Sequence, residues 1–366
     1  MKERLEHLAA EAGVTEPAPG TTQSPAGPPP RTHGGPDADG VPPWDFSVNA
    51  NACGPCPQAW ARVQTAARRH YPDPAYTDLR HRLARQHGVA PSRVLLAASG
   101  SEWILRFAAW CAQHAPGPVW WPAPGYGDYA HAAGVWGLVR APSPAQARAG
   151  WLCDPGSPLG QPEDAAVAKA LLAAGAPVTL DLAYAPLRLQ GDAVPSDAQR
   201  ARCWQLHSPN KALGLTGVRA AYVIAPQDAP PEQLAELQAL APSWPIGADG
   251  VALLTAWTEP STQRWLEATL ATLAQWKAAL VQMLRARGWE VAASVTPFLC
   301  ARPPQPIDAA ALRAHGVKLR DATSLGLPGW WRLSAQPPQA LQALAQALDA
   351  PASAAPTTPT RRRAPR

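Results

Sequence analysis

Lysine is scarce in this sequence. Only five of its 366 residues are lysines, and arginine supplies most of the positive charge, as expected for a chain rich in alanine, proline and arginine. This scarcity makes the surroundings of each lysine informative. Lys211 is the only one flanked by both serine and glycine, so it is the first candidate for a chemical role.

The features that mark secreted and membrane proteins are also missing. Residues 1–10 are charged and no apolar core follows them, so no signal peptide is expected. The uncharged run 107–127 contains four prolines, which a membrane helix would not tolerate. Because 46% of the residues are hydrophobic, the chain can bury a sizeable core. We therefore expect a globular, cytoplasmic protein.

The sequence does not predict a basic binding face or a metal site. The formal net charge is +5, but it falls to +1 without four arginines near the C-terminus, Arg361, Arg362, Arg363 and Arg366. Nucleic acid is therefore not an expected partner. The six cysteines are scattered, which indicates free thiols in a reducing compartment.

One cysteine pair permits a different interpretation. Cys53-Gly54-Pro55-Cys56 has the spacing of a thioredoxin-like redox motif, and a helix is predicted to begin near Pro57. A helix N-terminus lowers the pKa of a nearby thiol, so a redox site is one hypothesis for this segment.

Lys211 lies in the segment His-Ser-Pro-Asn-Lys-Ala-Leu-Gly-Leu-Thr-Gly-Val-Arg, residues 207–219. An amine among small residues and hydroxyls is suited to forming an imine with a carbonyl. Pyridoxal phosphate enzymes need such a lysine, together with hydroxyl and guanidinium donors for the cofactor's phosphate. Ser208 and Arg219 are the candidates for those donors. The alternative is an ordinary surface loop before a strand.

Apolar segments predict the fold. Predicted strands end at Ser99, Asp181 and Ser208, and strands alternate with helical patterns. The pattern also predicts a helix from residue 103 and, in the C-terminal part, strands over residues 290–294 and 317–320. We expect an α/β fold: a large domain with a mostly parallel sheet flanked by helices, and a small C-terminal α/β domain. The predicted boundaries are a largely disordered segment 1–40, a large domain with an N-terminal arm 41–249, a linker helix with the small domain 250–350, and a disordered basic tail 351–366.

Two of these strand ends carry chemistry of their own. The turn at residues 99–102 leads from a strand into a helix, and a helix N-terminus favours a phosphate. Asp181 ends a buried strand, where a carboxylate is costly without a partner. The ring nitrogen of the cofactor would be such a partner. A simple turn cap is the alternative for Asp181.

Together these motifs resemble the fold-type I pyridoxal phosphate enzymes of the class I/II aminotransferase family over residues 32–348. The resemblance is greatest to the branch with histidinol-phosphate aminotransferase and L-threonine O-3-phosphate decarboxylase of cobalamin synthesis. It rests on segments 45–55, 71–76, 100–102, 122–126, 154–160 and 181–184, in the family's order. Segment 45–55 also looks like the family's Asp-Phe-Ser-x-Asn-x-Asn-Pro-Leu-Gly-Pro, which offers a second interpretation of the two cysteines.

The resemblance implies a cofactor site. Lys211, Asp181 and Tyr184 are implied to be catalytic. The implied cofactor contacts are Gly100 and Ser101 at the phosphate, Tyr126 stacked on the ring, Ser157, Asp181 at the ring nitrogen, Tyr184 near the ring oxygen, Ser208, Lys211 and Arg219. Tyr71 is implied to reach the phosphate of a neighbouring subunit, and therefore to indicate a homodimer with shared sites. A tyrosine packed beside proline is the alternative for Tyr71.

Two positions depart from the family's pattern. Ser157 occupies the place of an asparagine that donates a hydrogen bond to the ring oxygen, and Leu182 occupies the place of a glutamate. A serine is shorter and would reach that oxygen through water, which would change the control of the pKa of the imine.

The resemblance also implies a site for a small phosphorylated amino acid or amine. His33, Gly34 and Gly35 are similar to a His-Gly-Gly segment of threonine-phosphate decarboxylases, although a glycine-rich linker is the alternative. Asn49, Arg320 and Arg332 complete the implied substrate contacts. A guanidinium binds carboxylate or phosphate with two hydrogen bonds, while a solvated strand end is the alternative for each arginine.

Three functions remain open at this point. The first is decarboxylation of L-threonine O-3-phosphate, and the second is transfer of an amino group by an enzyme of the histidinol-phosphate type. The third is a catalytically silent homologue that acts as a binding partner. The bond that breaks depends on which substituent of the α-carbon stands perpendicular to the imine plane, and the sequence does not determine this.

Overall fold

The computed structural model describes residues 32–350. Contacts join these residues into one unit, so the boundaries predicted at residues 40 and 249 stay predictions. The disorder predicted for residues 1–31 and for the tail 351–366 lies outside the described residues.

The elements follow each other as the alternating pattern predicts. The strands are β1 (Trp44–Asp45), β2 (Val94–Ala97), β3 (Val119–Trp120), β4 (Ala149–Cys153), β5 (Val178–Asp181), β6 (Trp204–His207), β7 (Ala221–Ile224), β8 (Glu290–Val291), β9 (Phe298–Arg302), β10 (Val317–Lys318), β11 (Arg320–Asp321) and β12 (Trp331–Ser334). The helices are α1 (Pro57–Gln64), α2 (Thr77–His87), α3 (Gly100–His114), α4 (Gly127–Val135), α5 (Ala165–Ala173), α6 (Asp197–Arg200), α7 (Pro231–Ala239), α8 (Ala248–Trp257), α9 (Pro260–Ala286), α10 (Ala309–Ala314) and α11 (Pro338–Asp349).

The larger described sheet has six strands in the order β2-β7-β6-β5-β4-β3. Strands β3 to β6 are parallel, whereas β7 is antiparallel to both of its neighbours, β2 and β6. This confirms the prediction of a mostly parallel sheet. The carboxyl ends of β2, β5 and β6 therefore lie at one edge, and β7 begins at that same edge because its direction is reversed.

Helices cover both faces of this sheet, which explains why strands such as β2 and β7 are apolar throughout rather than alternating. In β2, Val94 and Leu96 pack with α1, α2 and α8 on one face. Leu95 and Ala97 pack with α3 and α4 on the other face. Both sets of side chains are almost fully buried. The polar groups that matter for chemistry are therefore confined to the ends of the strands.

The second large sheet is antiparallel, in the order β11-β12-β9-β8, and packs with α9, α10 and α11. A single strand predicted over residues 317–320 is wrong. Val317–Lys318 pairs in parallel with β1, while Arg320–Asp321 pairs with β12 in the other sheet. The chain changes partners at Leu319 because residues 44–45 occupy the edge beside β10. This change is what places Arg320 opposite Arg332.

Two further boundaries differ from the predictions. The helix predicted from residue 103 begins at Gly100, since the Ser99 hydroxyl accepts a hydrogen bond from the Glu102 N–H and caps it. The strand predicted over 290–294 ends at Val291. There the Ser294 hydroxyl bonds to the carbonyl of Phe298, so side-chain bonds replace strand pairing.

Two negative findings apply to residues 32–350. No helix in that range combines the length and apolarity needed to cross a membrane. The same residues contain no cluster of three or more side chains able to hold a metal ion.

A buried ion pair fixes the end of β4. Arg188 Nη2 lies 2.6 Å from Asp154 Oδ2, and the side chains are 12% and 1% exposed. We expect Arg188→Met to lower the free energy of unfolding by about 3–5 kcal/mol, because a buried carboxylate loses its partner. Urea denaturation measures the coupling free energy between the two side chains, when it is applied to Arg188→Met, to Asp154→Asn and to the double variant. A double variant no more stable than Arg188→Met alone would contradict this assignment.

Candidate active site

Lys211 lies in the loop after β6, packed against the loop of residues 51–55. Its carbonyl accepts a hydrogen bond of 2.9 Å from the Asn51 N–H. Gly214 has φ +65°, and a Cβ there would lie 2.9 Å from the Cα of Gly54. Glycine is therefore required where the two loops cross. This packing gives the segment 45–55 a structural role beside the lysine.

The two cysteines of that segment fit packing better than redox chemistry. Both thiols are free, and Cys56 is buried at the start of α1. Burial raises the pKa of the Cys53 thiol. A redox thiol needs a lowered pKa, so the structure argues against the thioredoxin-like hypothesis.

Asp181 and Lys211 lie close enough to interact through their charges. Asp181 is buried at the carboxyl end of β5, where burial raises the pKa of its carboxyl group. The Ala183 N–H, the Tyr129 hydroxyl and the charge of Lys211 oppose that rise. Asp181 Oδ1 accepts a hydrogen bond of 2.9 Å from the Ala183 N–H. The carboxylate thus caps the turn and also faces the site, so the two hypotheses for it are compatible.

Tyr184 connects the lysine to the amide of Asn49. The Lys211 ammonium lies 5.4 Å from the centroid of the Tyr184 ring. Asn49 Nδ2 donates a hydrogen bond of 3.4 Å to the Tyr184 hydroxyl. Leu182, which replaces the family's glutamate, packs instead in an apolar cluster that includes Leu180. A carboxylate at that position would be buried among hydrocarbon.

The first turn of α3 presents polar groups at the same sheet edge. Gly100 and Ser101 are its first two residues, so their N–H groups have no intrahelical acceptor. The Tyr126 hydroxyl donates to Asp128 Oδ2 at 2.8 Å and lies 3.0 Å from the Ser101 hydroxyl. Burial and the neighbouring Asp128 raise the pKa of Tyr126, so its hydroxyl keeps its proton.

Ser208 and Arg219 have different surroundings. Ser208 is buried, and its hydroxyl donates to Asn210 Oδ1 at 3.1 Å. Arg219 is exposed and lines a cavity of about 610 Å³ together with Tyr71. Tyr71 is 78% exposed, and its ring stacks on Trp244 at 4.5 Å. The structure therefore places Tyr71 at the surface, beside the arginine predicted to bind phosphate.

Arg332 is a buried cation of the predicted substrate site. Its Nη1 donates to the Ser157 hydroxyl at 3.3 Å and its Nη2 to the Ser47 carbonyl at 2.9 Å. Its Nε is buried without a partner among the described residues. Burial lowers the pKa of Arg332, while Tyr184 opposes that shift. The unpaired Nε–H of Arg332 can still donate a hydrogen bond to an anionic ligand.

Arg320 lies directly opposite Arg332 on the adjacent strand. Its Nη2 donates to the Thr32 carbonyl at 2.6 Å and to the Ser324 hydroxyl at 2.7 Å. Burial, followed by the charge of Arg332, lowers the pKa of Arg320. Neither arginine is a solvated strand end, so that alternative is wrong for both.

Residues 32–35 are held against this pair rather than forming a free linker. The Gly35 N–H donates to the Ser47 hydroxyl at 2.8 Å, and the Lys318 ammonium donates to the Gly35 carbonyl at 2.6 Å. A Cβ on Gly34 would lie 2.2 Å from the Ser47 carbonyl oxygen. His33 is exposed and has no hydrogen bond to any residue within 32–350.

We expect Gly34→Ala to displace residues 32–35 from the arginine pair, because backbone atoms of Ser47 occupy the position of the new Cβ. The expected loss in kcat/KM for a phosphorylated substrate is about 10–100-fold, the range for misplaced binding groups. Gly134→Ala is the matched control, since nothing lies within 4 Å of its added Cβ. Equal kinetics in the two variants would show that residues 32–35 do not serve the site.

Sequence reasoning missed Ser47, Lys318 and Tyr129. Both Ser47 and Lys318 bind Gly35, although Ser47 lies 12 residues and Lys318 lies 283 residues away from it in the sequence. The Tyr129 hydroxyl donates to Asp181 Oδ2 at 2.8 Å. Of the three, only Ser47 lies within one of the segments on which the resemblance rests, in Asp-Phe-Ser of segment 45–55. This was the one signal that could have found it.

The described residues suit pyridoxal phosphate. Beside Lys211, Asn49 Oδ1 and Arg332 Nε are buried without partners within residues 32–350, which indicates that a polar ligand completes the site. Asp181 can accept further hydrogen bonds beyond the two from the protein. The first turn of α3 can accept a phosphate.

Comparison with known proteins gives consistent results. The family model for aminotransferase class I and II matches residues 151–348. Histidinol-phosphate aminotransferase of Pseudomonas entomophila is 26% identical over 325 residues, which is 83% of this chain and 92% of that protein.

Solved structures share the fold. The complex of histidinol-phosphate aminotransferase from Sinorhizobium meliloti with pyridoxal-5'-phosphate superposes with a TM-score of 0.69 at 22% identity, covering 83% of this chain and 89% of the other. L-threonine-O-3-phosphate decarboxylase from Porphyromonas gingivalis gives 0.67 at 20% identity, covering 83% and 97%.

Proposed function

This chain belongs to the class I and II aminotransferase family, a family of pyridoxal phosphate-dependent enzymes, and within it we propose that the chain decarboxylates L-threonine O-3-phosphate. The products would be (R)-1-amino-2-propanol phosphate and carbon dioxide. The proposal concerns the substrate and the reaction, since the family and the cofactor are established.

The observation that carries the proposal is the pair of buried arginines. Arg320 and Arg332 lie opposite each other on adjacent strands. Two like charges in a buried site are unfavourable unless anions compensate them. L-Threonine O-3-phosphate carries a phosphate and a carboxylate, which is one anionic group for each guanidinium. Arg320 contacts the segment 32–35, which contains the His-Gly-Gly motif similar to that of threonine-phosphate decarboxylases. We therefore assign the phosphate to Arg320 and the carboxylate to Arg332.

Several residues would hold the cofactor. Lys211 would bind its aldehyde carbon, Asp181 its ring nitrogen, and Gly100, Ser101, Ser208 and Arg219 its phosphate. Tyr126 would stack on the ring, with Tyr184 near the ring oxygen. When bound, pyridoxal phosphate supplies an electron sink for the bond that breaks at the α-carbon.

The chain's own residues would decide which bond breaks. Arg332, fixed by Ser157 and Ser47, would hold the carboxylate in one orientation. The bond between the α-carbon and the carboxylate then breaks, carbon dioxide leaves, and the α-carbon takes up a proton. The Lys211 ammonium would supply that proton, and its place 5.4 Å from the centroid of the Tyr184 ring supports this role.

Amino transfer is the second candidate, and the names of the sequence relatives favour it. The P. entomophila relative is named histidinol-phosphate aminotransferase. In that reaction, Lys211 would move a proton away from the α-carbon instead of delivering one. Histidinol phosphate carries a phosphate but no carboxylate, so it would satisfy only one of the two arginines.

We also propose a homodimer with shared sites. Tyr71 is 78% exposed at the rim of the cavity that contains Arg219. A second copy of the chain would cover this aromatic side chain. Sedimentation of the purified protein, compared with a Tyr71→Ala variant, tests this proposal. A monomer with full activity would overturn it.

The reaction itself can be tested with carboxyl-labelled L-threonine O-3-phosphate and the cofactor-loaded protein. Release of labelled carbon dioxide is the expected result. A parallel assay offers histidinol phosphate with 2-oxoglutarate and measures glutamate. Glutamate without carbon dioxide would replace decarboxylation by amino transfer. Neither product, with the cofactor bound, would indicate the silent homologue.

A further inference from the structure

Tyr129 lies next to Asp181 but belongs to none of the motifs discussed so far. It is in α4, three residues after Tyr126, and its side chain is fully buried. Its ring stacks on Trp151 at 6.0 Å and meets the Tyr126 ring edge-on at 5.8 Å. Packing on two sides therefore fixes the position of its hydroxyl.

That hydroxyl donates a hydrogen bond of 2.8 Å to Asp181 Oδ2, while the Ala183 N–H donates to Oδ1. Each carboxylate oxygen thus has one donor from the protein, and the carboxylate is held at both ends. Because an oxygen of this kind can accept a second hydrogen bond, the arrangement leaves room for a donor on a ligand.

The direction of this hydrogen bond is fixed. Burial, and then the charge of Asp181, raise the pKa of Tyr129 well above its ordinary value, so the hydroxyl keeps its proton. Cys153 lies beside the same hydroxyl, directly opposite Asp181 on the neighbouring strand, and burial raises the pKa of its thiol as well. Tyr129 and Cys153 are therefore neutral, whereas Lys211 is the cation that acts on Asp181.

We propose that Tyr129 is a positioning residue for Asp181, whose hydroxyl stabilises and orients the ionised carboxylate that keeps a proton on the ring nitrogen of pyridoxal phosphate. A neutral donor does this without adding a cation that would compete with the ring for the carboxylate. The proposal rests on the role of Asp181 in the proposed function and applies to decarboxylation and amino transfer alike.

The test uses Tyr129→Phe in the full chain, because phenylalanine keeps the ring packing and removes only the hydroxyl. We expect the dissociation constant of pyridoxal phosphate to rise about tenfold, the size of a lost hydrogen bond to a charged group. The pH at which the absorption of the bound cofactor changes should be lower than in the parent protein, since the ring nitrogen holds its proton less tightly.

Tyr222→Phe is the matched control. Tyr222 is also fully buried, and its hydroxyl accepts a hydrogen bond from Trp257 Nε1, away from Asp181. Thermal unfolding of both variants measures the cost of losing a buried hydroxyl. Equal cofactor affinity and equal spectra in the two variants would overturn the proposal.

A double-variant cycle with Asp181→Asn tests whether Tyr129 acts through Asp181. We expect Tyr129→Phe to have no further effect on cofactor affinity in the Asp181→Asn background. A tenfold loss that persists there would overturn the proposal. If Asp181→Asn itself leaves affinity and spectrum unchanged, the role of Asp181 fails together with the proposal. The carbon dioxide assay of the parent protein reports on the proposed reaction separately.

Discussion

Replacing Lys211 with alanine is expected to reduce carbon dioxide release from L-threonine O-3-phosphate by at least about 10⁴-fold. Lys211 is the only lysine of the described residues in the loop after β6, and its ammonium lies beside Tyr184 and Asp181. Removing it takes away the amine that would bind the cofactor and also the proton source for the α-carbon.

Two further variants make this result specific. Lys211→Arg keeps the positive charge, but a guanidinium neither forms an imine readily nor gives up a proton, so activity should stay lost. Lys169→Ala is the matched control, since Lys169 is exposed on α5 and distant from the loop in sequence. Single-turnover kinetics and the absorption of the bound cofactor provide the measurement. Activity of Lys211→Ala above about 1% of the parent would contradict the assignment.

Replacing Arg332 with methionine is expected to lower kcat/KM for L-threonine O-3-phosphate by about 10²-fold, the loss of a charge-assisted pair. Methionine fills a buried space of similar length without leaving an unpaired charge. Arg302→Met is the matched control, because Arg302 is an exposed arginine of the same sheet and packs on Trp330.

The assignment of each arginine can be tested with the reaction product, which has a phosphate and no carboxylate. Arg332→Met should weaken binding of the substrate but leave inhibition by (R)-1-amino-2-propanol phosphate almost unchanged. Arg320→Met should weaken binding of both ligands, because both carry the phosphate that is assigned to Arg320 beside residues 32–35. Product inhibition that is lost in Arg332→Met and retained in Arg320→Met would reverse the two roles.

The local chemistry was predictable because it depends on short segments. Continuous apolar runs predicted β2 and β7, since strands covered on both faces have no polar side. The motif around Lys211 predicted the cofactor, which membership of the family confirmed. By contrast, α4 was not predicted, because Gly127–Val135 contains two glycines and has a weak helical pattern. Tyr129 was missed with it.

The sequence by itself determined the fold class, because the periodicity of apolar residues is a local property of the chain. It also determined the family and the cofactor, because the motifs that resemble the family are short segments. Only the tertiary structure decided which distant groups meet. Arg320 faces Arg332 because the chain changes sheets at Leu319, and residues 32–35 reach them through Ser47 and Lys318. Such contacts depend on strand register and on packing between elements, which no short stretch of sequence contains.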